Sequence, residues 1–239
     1  MDIQLASEAL FSIGPLPITN TLVTSLMTTL LLSVVAILAT RTMRLAPMGL
    51  QNAAEMVIDG GFTALEELAP GKANVIFPFV ATFFFFIVTA NWLGLLPGMG
   101  TLGIWRHGEF VPLLRAATSD LNTTLGLALI SAIATHAFAL RSLGIRDYFG
   151  KWVSLNPVFL FVGILELVSE VTKVLSLSFR LFGNIFAGEV VLGTISKFLA
   201  FVVPLPFLGL ELVVGLVQGL VFTILTAVFM IILSEKEHT

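Results

Sequence analysis

Three side chains able to do chemistry stand at positions 176, 180 and 184 of this chain: Ser176, Arg180 and Asn184, within Ser176-Leu-Ser-Phe-Arg180-Leu-Phe-Gly-Asn184. A spacing of four puts them on one face of a helix, as a single polar stripe on an otherwise apolar surface. The nearest charges along the chain are Lys173 before the arginine and Glu189 after it. If this segment crosses a bilayer, the guanidinium lies near mid-membrane, where it costs at least ~2.5–3.5 kcal/mol on insertion scales. Arginine cannot escape that cost by losing its proton. No acidic residue stands three or four positions from Arg180. Its counter-ion is therefore either a distant carboxylate of this chain or, as the spacing favours, an acid outside it.

More polar groups flank this stripe. Glu189 is nine positions beyond Arg180, on the opposite face and about 13 Å further along a helix. Glu211 and Gln218 are seven apart and share a face of the following segment. A turn near residue 200 would bring Glu189 level with Glu211, and Gln218 within a turn of Arg180. Glu166, Glu170 and Lys173 lie on the other side of the arginine. Taken singly, each has a plain structural reading. Ser176 would bond a carbonyl of its own helix, Asn184 and Gln218 would bridge helices at about 0.6 kcal/mol, Glu189 and Glu211 would share a proton, and Glu166, Glu170 and Lys173 would form a solvated face. Together they suit proton movement, with carboxylates on both sides of one fixed charge that repels a hopping proton.

The elements that must position these groups are membrane helices. The 239 residues are 57% hydrophobic and 11% charged, with a mean hydropathy of +1.02; soluble domains carry about 25% charged residues. A net charge of −3 gives no electrostatic case for nucleic acid. The chain has no cysteine, and its histidines (His107, His136, His238) show no ligand spacing. No metal site and no cofactor is expected.

An all-α, multi-pass integral membrane protein is expected. It would have about five transmembrane or intramembrane helices plus an amphipathic surface helix, and would end in a long tilted helical hairpin. Residues 1–17, acidic and without a basic start, read as an external N-terminal tail rather than a signal peptide. Residues 18–40 form a span long enough for a ~30 Å core. Residues 47–69 place Leu50, Ala54, Val57, Ile58, Gly61, Leu65 and Leu68 on one face and Glu55, Asp59, Phe62 and Glu66 on another. This helix would lie on the membrane or pack on neighbours. Residues 74–96 and 119–140 are further spans. Residues 155–199 would make a helix of roughly 67 Å, about twice a crossing and hence tilted or protruding. Pro204 and Pro206 mark a turn before a final helix at 206–234 and a cytoplasmic tail at 235–239. No repeat or linker divides the chain, so one membrane domain is expected.

Arg41, Arg44, Lys72, Arg141, Arg146, Lys151 and Lys236 would face one side, against Arg106 and Arg115 on the other. By the positive-inside rule the N-terminus is outside and the C-terminus cytoplasmic.

The decapeptide Arg180-Leu-Phe-Gly-Asn184-Ile-Phe-Ala-Gly188-Glu189 resembles the signature of the a subunit, the stator proton-channel subunit, in the membrane sector of the bacterial-type rotary F-type ATP synthase. Asn91-Trp-Leu-Gly-Leu-Leu-Pro97-Gly98, Asp120-Leu-Asn122-Thr-Thr, Leu165-Glu166-Leu-Val-Ser169, Gln218 and the tail Ser234-Glu-Lys-Glu237 extend the likeness. It is weak before Asn74 and strong from Leu155 onward.

The resemblance implies a non-catalytic subunit of the cell inner membrane that cups a ring of c subunits. It further implies partnership with the b subunits of the peripheral stalk and the rest of the synthase. Protons would enter an outer half-channel lined by Asn184, Glu189, Glu211, Gln218 and Asn91. They would ride on ring carboxylates and leave by an inner half-channel near Ser176, Lys173, Glu166 and Glu170. Arg180 would be counter-ion to the ring carboxylate and barrier to a direct leak. Glu211, where some relatives carry histidine, and the additional acid Glu170 depart from the pattern. The rival reading is a secondary transporter using Arg180 for an anionic substrate, but such folds show repeats and broken helices, and neither is visible.

Overall fold

The computed structural model describes residues 7–14, 16–41, 43, 48–96, 102–106, 109–152, 157–196 and 203–235. Seven helices appear among them: α1 (Asn20–Thr40), α2 (Leu50–Leu68), α3 (Ala73–Gly94), α4 (Leu121–Leu143), α5 (Ile145–Trp152), α6 (Pro157–Ile195) and α7 (Pro204–Leu233). Four of them, α1, α3, α4 and α7, are long and apolar enough to cross a membrane. The protein is an all-α, multi-pass membrane protein. Two small antiparallel hairpins, β1 (Ala9–Ile13) with β2 (Leu16–Thr19) and β3 (Gly103–Arg106) with β4 (Glu109–Pro112), lie outside the helices. The sequence reading did not include them, because four- and five-residue strands leave almost no periodic signal.

Local chemistry sets the helix ends. The Thr19 hydroxyl accepts from the Leu22 amide and starts α1; the Asp120 carboxylate accepts from the Asn122 amide and starts α4, satisfying amides that the first turn leaves free. Gly144, at φ +83°, ends α4 in a conformation that favours glycine. α7 opens on Pro204, where the missing amide costs nothing. Helix α7 thus starts two residues before the expected boundary. The turn ahead of it (197–202) lies outside the described residues, as do Arg44, Pro97, Gly98, His107, Lys236 and His238.

Side-chain contacts fix which helix ends meet. Thr21 at the start of α1 donates to Asp120 at the start of α4 (3.0 Å), and Asn91 near the end of α3 donates to the Gly215 carbonyl near the start of α7 (3.3 Å). At the opposite end, Lys72 before α3 donates to Ser234 after α7 (3.0 Å). The helices thus alternate in direction through the bundle.

The core between α3, α4, α6 and α7 consists of Phe83, Ile87, Ala128, Leu177, Leu181 and Phe222. A second cluster, with Leu65, Ile76, Val80 and Met230, holds α2 against α3 and α7. Gly215 and Gly219, four apart, let α7 approach α3 closely. A Cβ on Gly219 would sit 2.6 Å from Val88 Cγ2, and one on Gly215 would sit 3.0 Å from Asn91 Cβ. In α1 the polarity is inverted: its buried residues are Asn20, Thr21, Thr24 and Thr28, while Leu26, Leu30 and Ile37 are exposed. Such a helix sends its hydroxyls to protein and its hydrocarbon to lipid.

Candidate functional site

Helix α6 runs for 39 residues, about 58 Å at 1.5 Å per residue, and carries Glu166, Glu170, Lys173, Arg180 and Glu189. Arg180 stands on its exposed face, with Nη2 3.5 Å from Ser176 Oγ. Among the described residues no carboxylate forms an ion pair with it. Phe179, next to it in the chain, is 53% exposed, and Leu175, Val171 and Val168 continue an exposed apolar strip along the helix. An uncovered apolar strip on a helix that also carries a permanent cation is a surface that needs a partner.

On the Glu189 side of the arginine, α6 and α7 exchange polar contacts. Asn184 Nδ2 donates to Gln218 Oε1 at 2.7 Å. Gln218 is buried, and its Nε2 finds no acceptor among the described residues; such donors are usually satisfied by water. The carboxylate of buried Glu211 lies against Gly188 and occupies the space where any Cβ at that position would be. The hairpin brings Asn184 to Gln218 and Gly188 to Glu211, where the sequence reading expected Glu189 level with Glu211 and Gln218 within a turn of Arg180.

Glu189 takes a partner that no sequence spacing announced. Arg115, in the segment just before α4, donates from Nε to both carboxylate oxygens (3.2 and 3.3 Å) and from Nη2 to Oε2 (3.1 Å). Arg115 is 8% exposed and Glu189 32%. The sequence reading counted Arg115 only as a loop charge, because 74 residues separate the pair. Asn91 lies in a neighbouring network, where its Oδ1 accepts from Thr118 and its Nδ2 donates to the Gly215 carbonyl. Asn91, Gln218 and Glu211 are all at least nine-tenths buried.

On the other side of the arginine a cleft of about 460 Å³ opens, lined by Ser169, Thr172, Lys173, Ser176, Arg180 and Phe229 among others. Lys173 donates to Glu170 at 2.6 Å, and its ammonium lies 5.0 Å above the Phe229 ring. Glu170 is therefore no solvated surface acid: its side chain is 14% exposed, and its second oxygen lies 3.8 Å from His136 Nε2. His136 Nδ1 in turn meets the Tyr148 hydroxyl at 2.9 Å. Burial raises the Tyr148 hydroxyl pKa above its usual value, and the charges of Glu170 and Glu166 add to the shift. Neither His136 nor Tyr148 was legible as a site residue, for α5 joins the group only through folding.

Similarity to known proteins sets the family of this chain. The family described as the ATP synthase A chain matches residues 21–231. The chain belongs to this family. It is 34% identical to the ATP synthase subunit a 2 of Bradyrhizobium sp. (strain BTAi1) over 225 residues, 94% of this chain and 93% of that protein. Identity is also 34% to the ATP synthase subunit a 2 of Pelobacter propionicus, over 93% of this chain and 90% of that one. To the ATP synthase subunit a of Moorella thermoacetica it is again 34%, over 92% and 93%. The family supplies the proton channel of the synthase membrane sector and is itself non-catalytic. The transporter reading is not favoured.

Proposed function

We propose that this subunit conducts protons through two offset half-channels against a rotating c ring, with Arg180 as the divider. The single observation that carries the reading is the guanidinium itself, exposed on α6 with no carboxylate of the described chain in reach. A c-ring carboxylate passing that face would be drawn to the fixed charge and release its proton, because a nearby cation favours the ionised acid. The same charge opposes a proton crossing directly from one side to the other.

Asn184, Gln218, Glu211, Glu189 and Asn91 form the outer, proton-supplying side. Its support is the contact chain from Asn184 to Gln218 and the buried amide donor that remains for water. Ser176, Lys173, Glu166 and Glu170 form the inner side, supported by the cleft that Ser176 and Lys173 share with Arg180. The c ring covers the exposed apolar residues of α6, and the b subunits of the peripheral stalk hold the bundle as stator within the rest of the synthase. The chain resides in the cell inner membrane with its N-terminus outside and its C-terminus cytoplasmic, the orientation that the basic residues favour. Helix α6, at about twice the bilayer thickness, runs tilted along the ring.

The experiment is Arg180→Ala in the assembled synthase, reconstituted in vesicles. Loss of proton-driven ATP synthesis, with ATP hydrolysis by the soluble sector retained, is the expected result. Synthesis at the unmodified rate would overturn the reading.

A further inference from the structure

The cluster of His136, Glu170, Lys173 and Tyr148 adds two residues, His136 and Tyr148, to the inner half-channel groups Glu170 and Lys173, and it joins three helices. A second, small cavity of about 10 Å³ sits between α4, α6 and α7, lined by Ser131, Thr135, Glu170 and Lys173. That is about the room one water needs, and its walls carry two hydroxyls, a carboxylate and an ammonium. Lys173 also lines the large cleft that holds Arg180. The order from the cleft inward is thus Lys173 and the water-sized slot, then Glu170, then His136, then Tyr148 on α5.

We propose that His136 is the proton-exchanging group at the mouth of the inner half-channel, working with Glu170 and oriented by Tyr148. The proposal rests on the half-channel reading above. The separation of 3.8 Å between Nε2 and Oε2 is closed by a small rotation or bridged by one water. In the synthesis direction the Glu170 carboxyl gives its O–H proton to the Nε2 lone pair of neutral His136, leaving a carboxylate beside an imidazolium. The imidazolium, whose side chain is 30% exposed, then releases that proton to water on the inner side and returns to neutral. Hydrolysis runs the same two transfers backwards. Tyr148 Oη holds Nδ1 at 2.9 Å and so sets which ring nitrogen faces the carboxylate. Tyr148 is a positioning residue, and its raised pKa keeps the phenol uncharged in that task.

Glu170 from α6 and Tyr148 from α5 meet this imidazole, Lys173 pairs with Glu170, and the charge of Glu166 acts on Tyr148. The only ionisable residue of α7 is Glu211, toward its opposite end. The imidazole takes up and gives away one proton in each transfer, so the inner-side rate should depend on the pH of the medium it faces.

The test uses the complete synthase in inverted vesicles, energised by a potassium diffusion potential, with the medium pH stepped from about 5 to 8 at fixed lumen pH. His136→Gln keeps an amide for the Tyr148 contact. It should slow synthesis roughly three- to tenfold, a small part of what a full general acid–base group supplies, and flatten the dependence on medium pH. Tyr148→Phe should slow synthesis while leaving the pH dependence in place. Where His136→Gln does not assemble, Glu170→Gln carries the test and should flatten the same curve. A wild-type rate and curve in the variant tested overturns the role of His136, provided Arg180→Ala abolishes synthesis in parallel. If Arg180→Ala still makes ATP, the half-channel reading has failed, and this inference fails with it.

Discussion

Glu211 places its carboxylate on Gly188, in the volume that a side chain at residue 188 would fill. The contact ties the two arms of the α6–α7 hairpin one position before Glu189 and one turn beyond Asn184. It explains why the decapeptide ends Ala-Gly-Glu: a larger residue between Ala187 and Glu189 would evict the acid of the facing helix.

Gly188→Ala should therefore displace the Glu211 carboxylate and reduce proton-driven synthesis strongly, with overpacking costing about 1–3 kcal/mol of stability. Shortening the intruding acid, Glu211→Asp, in the Gly188→Ala background should recover part of the lost thermal stability of the complex. Both are read from the midpoint of heat inactivation alongside ATP-driven proton pumping. If Gly188→Ala pumps normally, the carboxylate does not reside where it is seen.

The Arg115–Glu189 pair should be energetically lopsided. Arg115 is 8% exposed and Glu189 32%, so deleting the acid takes the carboxylate from the more deeply buried charge. Losing the counter-ion of a buried charge costs more than losing that of an exposed one. Glu189→Ala is expected to lower the stability of the assembled subunit more than Arg115→Ala does. A double-mutant cycle on thermal inactivation should give a coupling within about 0.5–3 kcal/mol. Additive effects would mean the contact is incidental. Arg115→Lys should restore little, because one ammonium cannot reproduce the forked donation to both oxygens.

Much of this arrangement could be read before any coordinates. The spacing of Ser176, Arg180 and Asn184 marked one helical face, and the structure presents Ser176 and Arg180 in contact on it. The apolar runs marked the spans, since hydrophobic length alone sets a membrane helix. What spacing could not reveal were contacts made by loops and by short elements. Arg115 reaches Glu189 across 74 residues, and Tyr148 reaches His136 from an eight-residue helix. Neither carries a period that a single sequence exposes. Glu170 was visible as an additional acid, but its partners came from helices α4 and α6 together, and only packing names them.

Gly219 offers a test of how the α3–α7 seam supports the site. A Cβ there would stand 2.6 Å from Val88 Cγ2 and 3.6 Å from the Phe84 carbonyl oxygen. Gly219→Leu should force the helices apart and loosen the neighbouring Gln218, which holds Asn184 from α7. The expected result is a complex that assembles poorly, with stability lowered by about 1–3 kcal/mol. Val88→Ala should relieve the clash for the smaller substitution Gly219→Ala. Normal assembly of Gly219→Leu, measured by co-purification with the rest of the synthase, would show that the seam is slack.

Tyr148 supplies a prediction in pH. Its hydroxyl pKa is raised, first by burial and then by Glu170 and Glu166, so the folded chain holds the phenolic proton more tightly than the unfolded chain does. The sign follows from linkage: this contribution is fully present below the unfolded value of about 10 and is lost as pH climbs through the higher folded value. Tyr148 is the single tyrosine of the chain, so Tyr148→Phe removes the whole effect from this subunit. In alkaline inactivation of the solubilised complex, the wild type should lose stability above about pH 10 more steeply than Tyr148→Phe. Below that pH the variant should be the less stable of the two, having lost the hydrogen bond to His136, a difference of about 0.5–1.5 kcal/mol. Parallel curves for the two proteins across the alkaline range would mean that the hydroxyl is not held in the site described.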